Sequence, residues 1–162
     1  MFNQNIENEN VHFRKDIPSW DEYFIGLTKY AATRSKDPKT QVGACIVDKD
    51  HRILSIGFNG MPIGILDDDE HWKNKHDYVS HAEANAISFC KGNLEGSTLY
   101  VTFYPCNTCA KTIIQNKIKR VVYLTKKVSK HISANISEKM FLEAGVEVIK
   151  YAPTHRKTII EV

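Results

Sequence analysis

The sequence predicts an α/β fold in which one sheet is covered by helices on both faces. Short, largely apolar strand-like runs recur along the chain, and helix-like stretches separate the later ones. No linker and no internal repeat divides the 162 residues, which are enough for one domain with a sizeable core. We therefore expect a single domain over residues 18–151, preceded by a mobile arm at 1–17 and followed by a basic tail at 152–162.

The first helix is predicted to begin after Ser19, because Ser19 and Glu22 have the spacing of a capping box. Pro38 disfavours helical geometry at the residue before it, so the helix is expected to stop near Lys36. Apolar and aromatic residues share one helical stripe, which predicts a core-facing side made of Trp20, Tyr23, Phe24, Leu27, Tyr30 and Ala31.

Two strand-like runs follow at 42–47 and 52–58, and the four polar residues between them predict a β-hairpin. The charged stretch 64–78 is predicted to be a solvated loop. It contains His71 and His76, but a second zinc site there is a weaker alternative because the loop offers no cysteine.

The second half of the chain alternates predicted helices with predicted strands. The helices are expected at 82–90, 105–116 and 133–144, and the strands at 98–103, 120–125 and 146–151. Helices that separate strands in this way favour a sheet with both faces covered.

The composition limits the class of protein. Apolar residues make up 42% and charged residues 25%, as is typical of globular domains. A net charge of +3 allows an anionic small ligand and does not demand a nucleic-acid groove. No apolar run approaches the length of a membrane span, and the N-terminus lacks an apolar signal core. We therefore expect a cytoplasmic protein. Cys45 and Cys90 are predicted to be small core residues.

One group of residues, divided between two parts of the sequence, predicts a metal site. It consists of His81 with Glu83 two residues on, and of Cys106 and Cys109 in a Pro-Cys-x-x-Cys sequence. One imidazole and two thiolates leave the fourth position of a tetrahedral metal open, which is typical of catalytic zinc. Glu83 is placed to move protons. The alternative is a structural zinc site or two reduced core cysteines, but no fourth ligand stands nearby at ligand spacing.

Two further groups have open interpretations on the residues alone. Arg34, Ser35 and Lys36 combine a guanidinium, a hydroxyl and an ammonium that could converge on a phosphate. The same cations would also complement the dipole at a helix C-terminus. Asn59 is either a turn residue or an amide presented to a ligand hydroxyl.

Together these motifs resemble the zinc-dependent cytidine and deoxycytidylate deaminase family, and its deoxycytidylate branch in particular. The similarity extends over about residues 20–151. It is carried by the stretches 34–38, 41–44, 57–62, 81–87 and 105–111. It implies a cytidine-deaminase-like, five-stranded mixed sheet and a catalytic Zn²⁺ held by His81, Cys106 and Cys109.

The resemblance also implies hydrolysis of dCMP to dUMP and ammonia for dTMP synthesis, with Glu83 as the catalytic residue. The implied substrate-binding residues are Asn59, Arg34, Ser35, Lys36 and Ala82, and the implied effector-binding residues are Gly57, Phe58, Asn59 and Gly60. The effectors would be dCTP as activator, with Mg²⁺ possible beside it, and dTTP as inhibitor. The assembly would be a homohexamer, with no nucleic acid bound.

Three alternative functions would use the same zinc motif. A dual dCMP/dCTP deaminase would place extra phosphates near Lys126, Lys127 and Lys130. A tRNA or single-stranded DNA deaminase would need a basic groove and stacking platforms for several nucleotides. A non-catalytic zinc-binding subunit would have no need of Glu83, so this carboxylate argues against that interpretation.

Overall fold

The fold is described from a computed structural model, over residues 12–126, 132–159 and 161. These residues form five strands and six helices. Their bounds are α1 Trp20–Ala32, β1 Gly43–Val47, β2 Ile53–Phe58, α2 Asp69–Lys73, α3 Lys75–Tyr78, α4 Ala82–Phe89, β3 Thr98–Phe103, α5 Asn107–Gln115, β4 Arg120–Thr125, α6 Ile132–Glu143 and β5 Glu147–Lys150.

The strands form one mixed sheet in the order β2-β1-β3-β4-β5, which confirms the predicted fold class. Strand β1 is antiparallel to both of its neighbours, while β3, β4 and β5 are mutually parallel. Gly43 at the start of β1 pairs with Phe58 at the end of β2, so the predicted hairpin is confirmed. The start of β1 and the ends of β2 and β3 therefore meet at one edge of the sheet.

Helices cover both faces of this sheet. On one side α1 packs Phe24 and Ile25 against Cys45 and Tyr100 in one apolar cluster. On the other side residues of α4, α5 and α6 form a larger cluster with the opposite faces of the strands. Cys45 is buried as predicted, whereas Cys90 is only half-buried. It is the C-cap of α4, packs against the edge of the larger cluster, and its thiol accepts from Gly92 N at 3.4 Å.

Helix α1 corrects two predictions. It ends at Ala32 rather than near Lys36, because the Thr33 hydroxyl donates to the Tyr30 carbonyl at 2.7 Å and Thr33 closes the last turn. The stripe that faces the core is rotated from the predicted one, so Trp20, Tyr23 and Tyr30 are about half exposed. The residues that the helix buries are Phe24, Ile25, Thr28, Ala31 and Ala32.

The rotation of α1 has a physical reason at Gly43. A Cβ at this position would stand 1.9 Å from the Thr28 carbonyl oxygen, so the helix and β1 touch backbone to backbone. Thr28 is therefore completely buried, and its hydroxyl donates within the helix to Ile25 at 2.8 Å. Trp20 instead stacks on His51 of the hairpin turn, with ring centroids 4.4 Å apart.

The predicted loop at 64–78 is not a plain loop, because it contains the short helices α2 and α3. The Asp68 carboxylate caps α2 by accepting from His71 N at 3.0 Å. Asp69 and Glu70 then lie in the first turn, where acidic groups favour a helix. The acidic run was thus a helix-start signal rather than only a solvated surface.

The C-terminal tail lies against the beginning of α1. Glu22 accepts from Thr154 Oγ1 at 2.7 Å and from Arg156 Nε at 2.9 Å. Arg156 also pairs with Asp16, and residues 12–19 have no regular secondary structure. The predicted mobility of the arm stays a prediction, and its first eleven residues lie outside the described part of the chain.

Candidate metal centre and its cavity

The predicted ligands lie together at the edge where β1 begins and β2 and β3 end. His81 is the N-cap of α4, Cys106 is the N-cap of α5, and Cys109 lies in the first turn of α5. His81 Nδ1 is 3.5 Å from Cys106 Sγ and 3.4 Å from Cys109 Sγ. All three ligand atoms lie within 4.8 Å of one another. Two helix N-termini therefore bring their partial positive charge to the two thiols.

These distances fit zinc. A tetrahedral ion with ordinary Zn–S and Zn–N bonds would separate an imidazole nitrogen from a thiolate sulfur by about 3.5 Å. The separations at His81 agree with this value. Nitrogen and sulfur are also the donors that Zn²⁺ prefers, so the residues present fit the ion.

Each of the two thiols changes the pKa of the other. The hydrogen bond from Cys109, aided by His81, lowers the pKa of Cys106 to about 3. The same hydrogen bond, together with burial, raises the pKa of the Cys109 thiol above its ordinary value. A metal that binds both sulfurs as thiolates must displace any proton that they still carry.

Glu83 lies in the first turn of α4, and only 4% of its surface is exposed. Burial raises the pKa of this carboxyl above its ordinary value, although its own backbone N–H and the charge of His81 act in the other direction. A carboxyl whose pKa is raised in this way is suited both to take up and to release a proton during a reaction.

Helix α4 is held by close contacts with the end of β2. A Cβ on Gly57 would be 2.4 Å from the Ala82 carbonyl oxygen, so only glycine lets the helix approach this strand. Asn85 donates to the Phe58 carbonyl at 2.8 Å and accepts from the Ser80 hydroxyl at 2.6 Å. These contacts fix the helix turn that begins with His81.

Helix α5 is held from two sides. The Ser133 hydroxyl of α6 accepts from Asn107 N at 3.1 Å and donates to Asn107 Oδ1 at 3.0 Å. Tyr104 N donates to the Thr125 carbonyl of β4 at 2.8 Å, which anchors the segment before Cys106. Contacts with neighbouring elements thus fix the positions of both thiols.

A cavity of about 290 Å³ opens beside the metal ligands. This volume lies at the small end of ligand sites. The predicted residues Asn59 and Ala82 line this cavity, and so does Glu83. Its lining consists of Asp37, Thr40, Val42, Asn59, Lys75, His76, Val79, His81, Ala82, Glu83, Phe103, Tyr104 and Cys106.

The other predicted substrate residues lie outside this lining. Arg34 and Lys36 are exposed and Ser35 is half-buried, in the segment between α1 and Asp37. Lys36 Nζ lies 2.6 Å from Asp67, an exposed ion pair. Their contact with a phosphate stays a prediction.

The predicted effector residues have structural contacts of their own. Gly57 packs on α4, Phe58 offers its carbonyl to Asn85, and Gly60 pairs with Ser80 through backbone hydrogen bonds of 3.0 and 3.1 Å. The turn they form lies directly before the metal-binding helix. Effector binding there stays a prediction.

Two charged residues of the cavity wall were not predicted as site residues from the sequence. Asp37 and Lys75 form an ion pair in the wall, although they lie 38 positions apart. Asp37 falls within a stretch that carried the family resemblance, which is the one signal that could have drawn attention to it. Lys75 lies in the stretch predicted to be a loop, where nothing local marks it.

No second cluster of metal ligands occurs among the residues that the structure describes. His71 Nδ1 is instead 2.7 Å from Asp68, and His76 lines the cavity. Of the lysines considered for extra phosphates, Lys126 pairs with Glu138 at 2.8 Å. Lys127 and Lys130 lie outside the described residues.

The fold and the centre together define a class of protein. Three ligands that leave one metal position open, with a buried carboxyl next to them and a cavity in front, suit metal-assisted hydrolysis. In the described part of the chain, no helix has the length and apolarity needed to cross a bilayer.

Comparison with known proteins identifies the family within this class. The model of the cytidine and deoxycytidylate deaminase zinc-binding region matches residues 18–125. Human deoxycytidylate deaminase is 41% identical over 157 residues, covering 91% of this chain and 88% of the human protein. The chain therefore belongs to the cytidine and deoxycytidylate deaminase family, and it is a hydrolytic deaminase.

Solved structures agree with this assignment. The dCMP deaminase of cyanophage S-TIM5 in apo form superposes with a TM-score of 0.69 and 28% identity, over 83% of this chain and 99% of that one. The same enzyme in complex with dCMP and dUMP gives a TM-score of 0.66 and 26% identity, over 86% and 100%.

Proposed function

We propose that this deaminase hydrolyses dCMP to dUMP and ammonia. The observation that carries the proposal is Glu83, a buried carboxyl beside three metal ligands at a cavity of about 290 Å³. A structural metal site has no use for such a group. The names of the human relative and of the cyanophage structures supply the substrate, since both act on or bind deoxycytidylate.

The reaction is a hydrolysis at ring carbon 4 of cytosine. Zn²⁺ held by His81, Cys106 and Cys109 would lower the pKa of a water molecule and so supply the nucleophile. Glu83 takes a proton from the water and delivers it to ring nitrogen 3, while the new C–O bond forms. Glu83 then moves the second proton to the amino group, the C–N bond breaks, and ammonia leaves.

The remaining walls of the cavity are suited to a flat base. Phe103 is the last residue of β3, Tyr104 follows it, and both line the cavity. Tyr104 is held edge-on by Tyr123 at 4.8 Å and lies under Lys126 Nζ at 4.5 Å. Burial raises the pKa of Tyr104 to about 12, so its ring stays neutral. Aromatic walls fixed in this way exclude water and orient the ring for attack.

We propose that Arg34, Ser35 and Lys36 contact the 5′-phosphate. Support comes from their position directly before Asp37, which lines the cavity. The ion pair of Lys36 with Asp67 is exposed and hence weak, so the ammonium can exchange this partner for a phosphate.

Our proposals for the regulation and assembly of this protein rest on its resemblance to deoxycytidylate deaminases. We propose dCTP, with Mg²⁺, as activator and dTTP as inhibitor at the turn Gly57, Phe58, Asn59 and Gly60. This turn leads into the contacts that hold α4, so a ligand there would act on the metal site. We further propose a homohexamer in the cytoplasm that supplies dUMP for dTMP synthesis.

The proposal is tested by ammonia release from zinc-loaded protein given dCMP, dCTP, deoxycytidine and a cytosine-containing oligonucleotide in parallel. We expect turnover of dCMP, little with deoxycytidine because the phosphate contacts are absent, and none with the oligonucleotide. Turnover of dCTP would favour a dual-specificity enzyme. Turnover of the oligonucleotide alone would refute the assignment of the substrate.

A further inference from the structure

Asp37 and Lys75 form an ion pair in the cavity wall, apart from the metal ligands. The Asp37 carboxylate is 3% exposed and accepts from Lys75 Nζ at 2.8 Å and 2.6 Å. It also accepts from Lys39 N at 2.8 Å and from Thr40 N at 3.0 Å. The Lys75 side chain is itself only 17% exposed. A pair so well buried is a weak source of stability, because desolvation of both charges offsets their attraction.

Asp37 is not available for proton transfer. Burial alone would raise the pKa of this carboxyl, but the hydrogen bonds from Lys75, Lys39 and Thr40 outweigh burial and lower it. All of its acceptor directions are occupied, and one of them is used by the side chain of Asn59. The carboxylate therefore acts on the cavity through Asn59 rather than on a substrate directly.

The amide of Asn59 can be oriented in only one way. Its Nδ2 donates to Asp37 Oδ2 at 3.3 Å and to the Thr40 carbonyl at 3.1 Å. Its Oδ1 accepts from Val42 N at 2.8 Å. A flipped amide would place oxygen against two acceptors and nitrogen against a donor. Both amide protons are thus used within the protein, and Oδ1 retains one lone pair for the cavity.

We infer that Asp37 and Lys75 are positioning residues that hold Asn59 as a pure hydrogen-bond acceptor for the sugar hydroxyl of the substrate. The inference rests on the proposed function, because dCMP has a single free sugar hydroxyl, at the 3′ position. A ligand with a donor there satisfies Oδ1, and a ligand without one leaves it unpaired. A site built to bond a hydroxyl discriminates strongly against an analogue that lacks it.

The test compares dCMP with 2′,3′-dideoxycytidine monophosphate, which lacks that hydroxyl. The ratio of their kcat/KM values is measured for the wild type, Asp37→Asn, Lys75→Met and Lys75→Arg. We expect the wild type to prefer dCMP by about tenfold or more. Asp37→Asn and Lys75→Met should move this ratio towards one, chiefly through the KM for dCMP. Lys75→Arg keeps a cation and should restore much of it.

Lys139→Met is the matched control, because it removes an exposed lysine of an ion pair on α6 and should leave the ratio unchanged. If Asp37→Asn does not fold, Lys75→Met decides the question. Equal losses on both nucleotides, or no preference in the wild type, would overturn the inference and leave the proposed function intact. A wild type that deaminates neither nucleotide would refute the proposed function and the inference with it.

Discussion

At the scale of single residues, local environment separates similar groups into different roles. Glu83 and Asp37 are both buried carboxyls in one cavity, but burial dominates at Glu83 and raises its pKa. Four hydrogen bonds with Lys75, Lys39 and Thr40 keep Asp37 ionised. The first can exchange a proton with a ligand, and the second can only hold its neighbours in place.

Glu83→Gln should keep stoichiometric zinc, because the ligands His81, Cys106 and Cys109 are unchanged, and lose about 10²–10⁴ in kcat because the amide cannot shuttle a proton. Ammonia release and zinc content by atomic absorption are the two measurements. Glu143→Gln, an exposed change of the same kind, is the control. Retention of full activity by Glu83→Gln would exclude the catalytic role.

At the scale of elements, the metal site depends on how closely a helix and a strand approach. Gly57 of β2 touches the backbone of α4, and a Cβ there would also be 2.5 Å from Ala86 N. Gly26 of α1 has nothing within 4 Å of the same position. The close contact with α4 requires glycine at position 57, whereas position 26 has room for a side chain. Substitution by alanine should therefore have opposite effects on stability at the two positions.

Gly57→Ala should lower the free energy of unfolding by about 1–3 kcal/mol, because α4 must move away from β2. It should also weaken zinc retention, since His81 begins that helix. Gly26→Ala should raise the free energy of unfolding by about 0.5–1 kcal/mol through helix propensity and the unfolded chain. Urea unfolding with chelator titration measures both. A stable, zinc-retaining Gly57→Ala would show that the close contact is not required.

At the scale of the whole molecule, long-range polar contacts join the first helix to the sheet. Asp21 of α1 accepts from Tyr100 Oη at 2.6 Å and from Arg120 Nη2 at 2.8 Å. The hydrogen bond from Arg120 lowers the pKa of Asp21. Arg120 also reaches Glu147 of β5 at 3.3 Å. One side of the molecule is thus tied together across β3, β4 and β5, and Asp21 and Arg120 lie 99 positions apart in the sequence.

Asp21→Ala should cost about 1–2 kcal/mol in unfolding free energy at neutral pH, a value reduced by the partial exposure of the pair. Because the folded pKa of Asp21 is depressed, its contribution is present above the ordinary value of 3.8 and is lost as the pH falls through the folded value. The stability difference between wild type and variant, measured by urea unfolding, should therefore vanish in acid. A difference that is independent of pH would contradict this assignment.

The sequence by itself determined the chemistry and most of the elements. The ligands His81, Cys106 and Cys109 and the carboxyl of Glu83 follow from residue type and short spacing, and the five strands follow from apolar periodicity. These signals are local, because each of the metal ligands lies within a few residues of the N-cap of its helix.

Only the tertiary structure decided the features that depend on distant contacts. The face that α1 buries was set by its contact with Gly43, not by its own aromatic residues. The pair of Asp37 with Lys75, and through it the orientation of Asn59, joins segments that lie far apart in the chain. Local periodicity contains no information about such partners, because the energy of a buried polar contact exists only once the fold has brought both groups out of water.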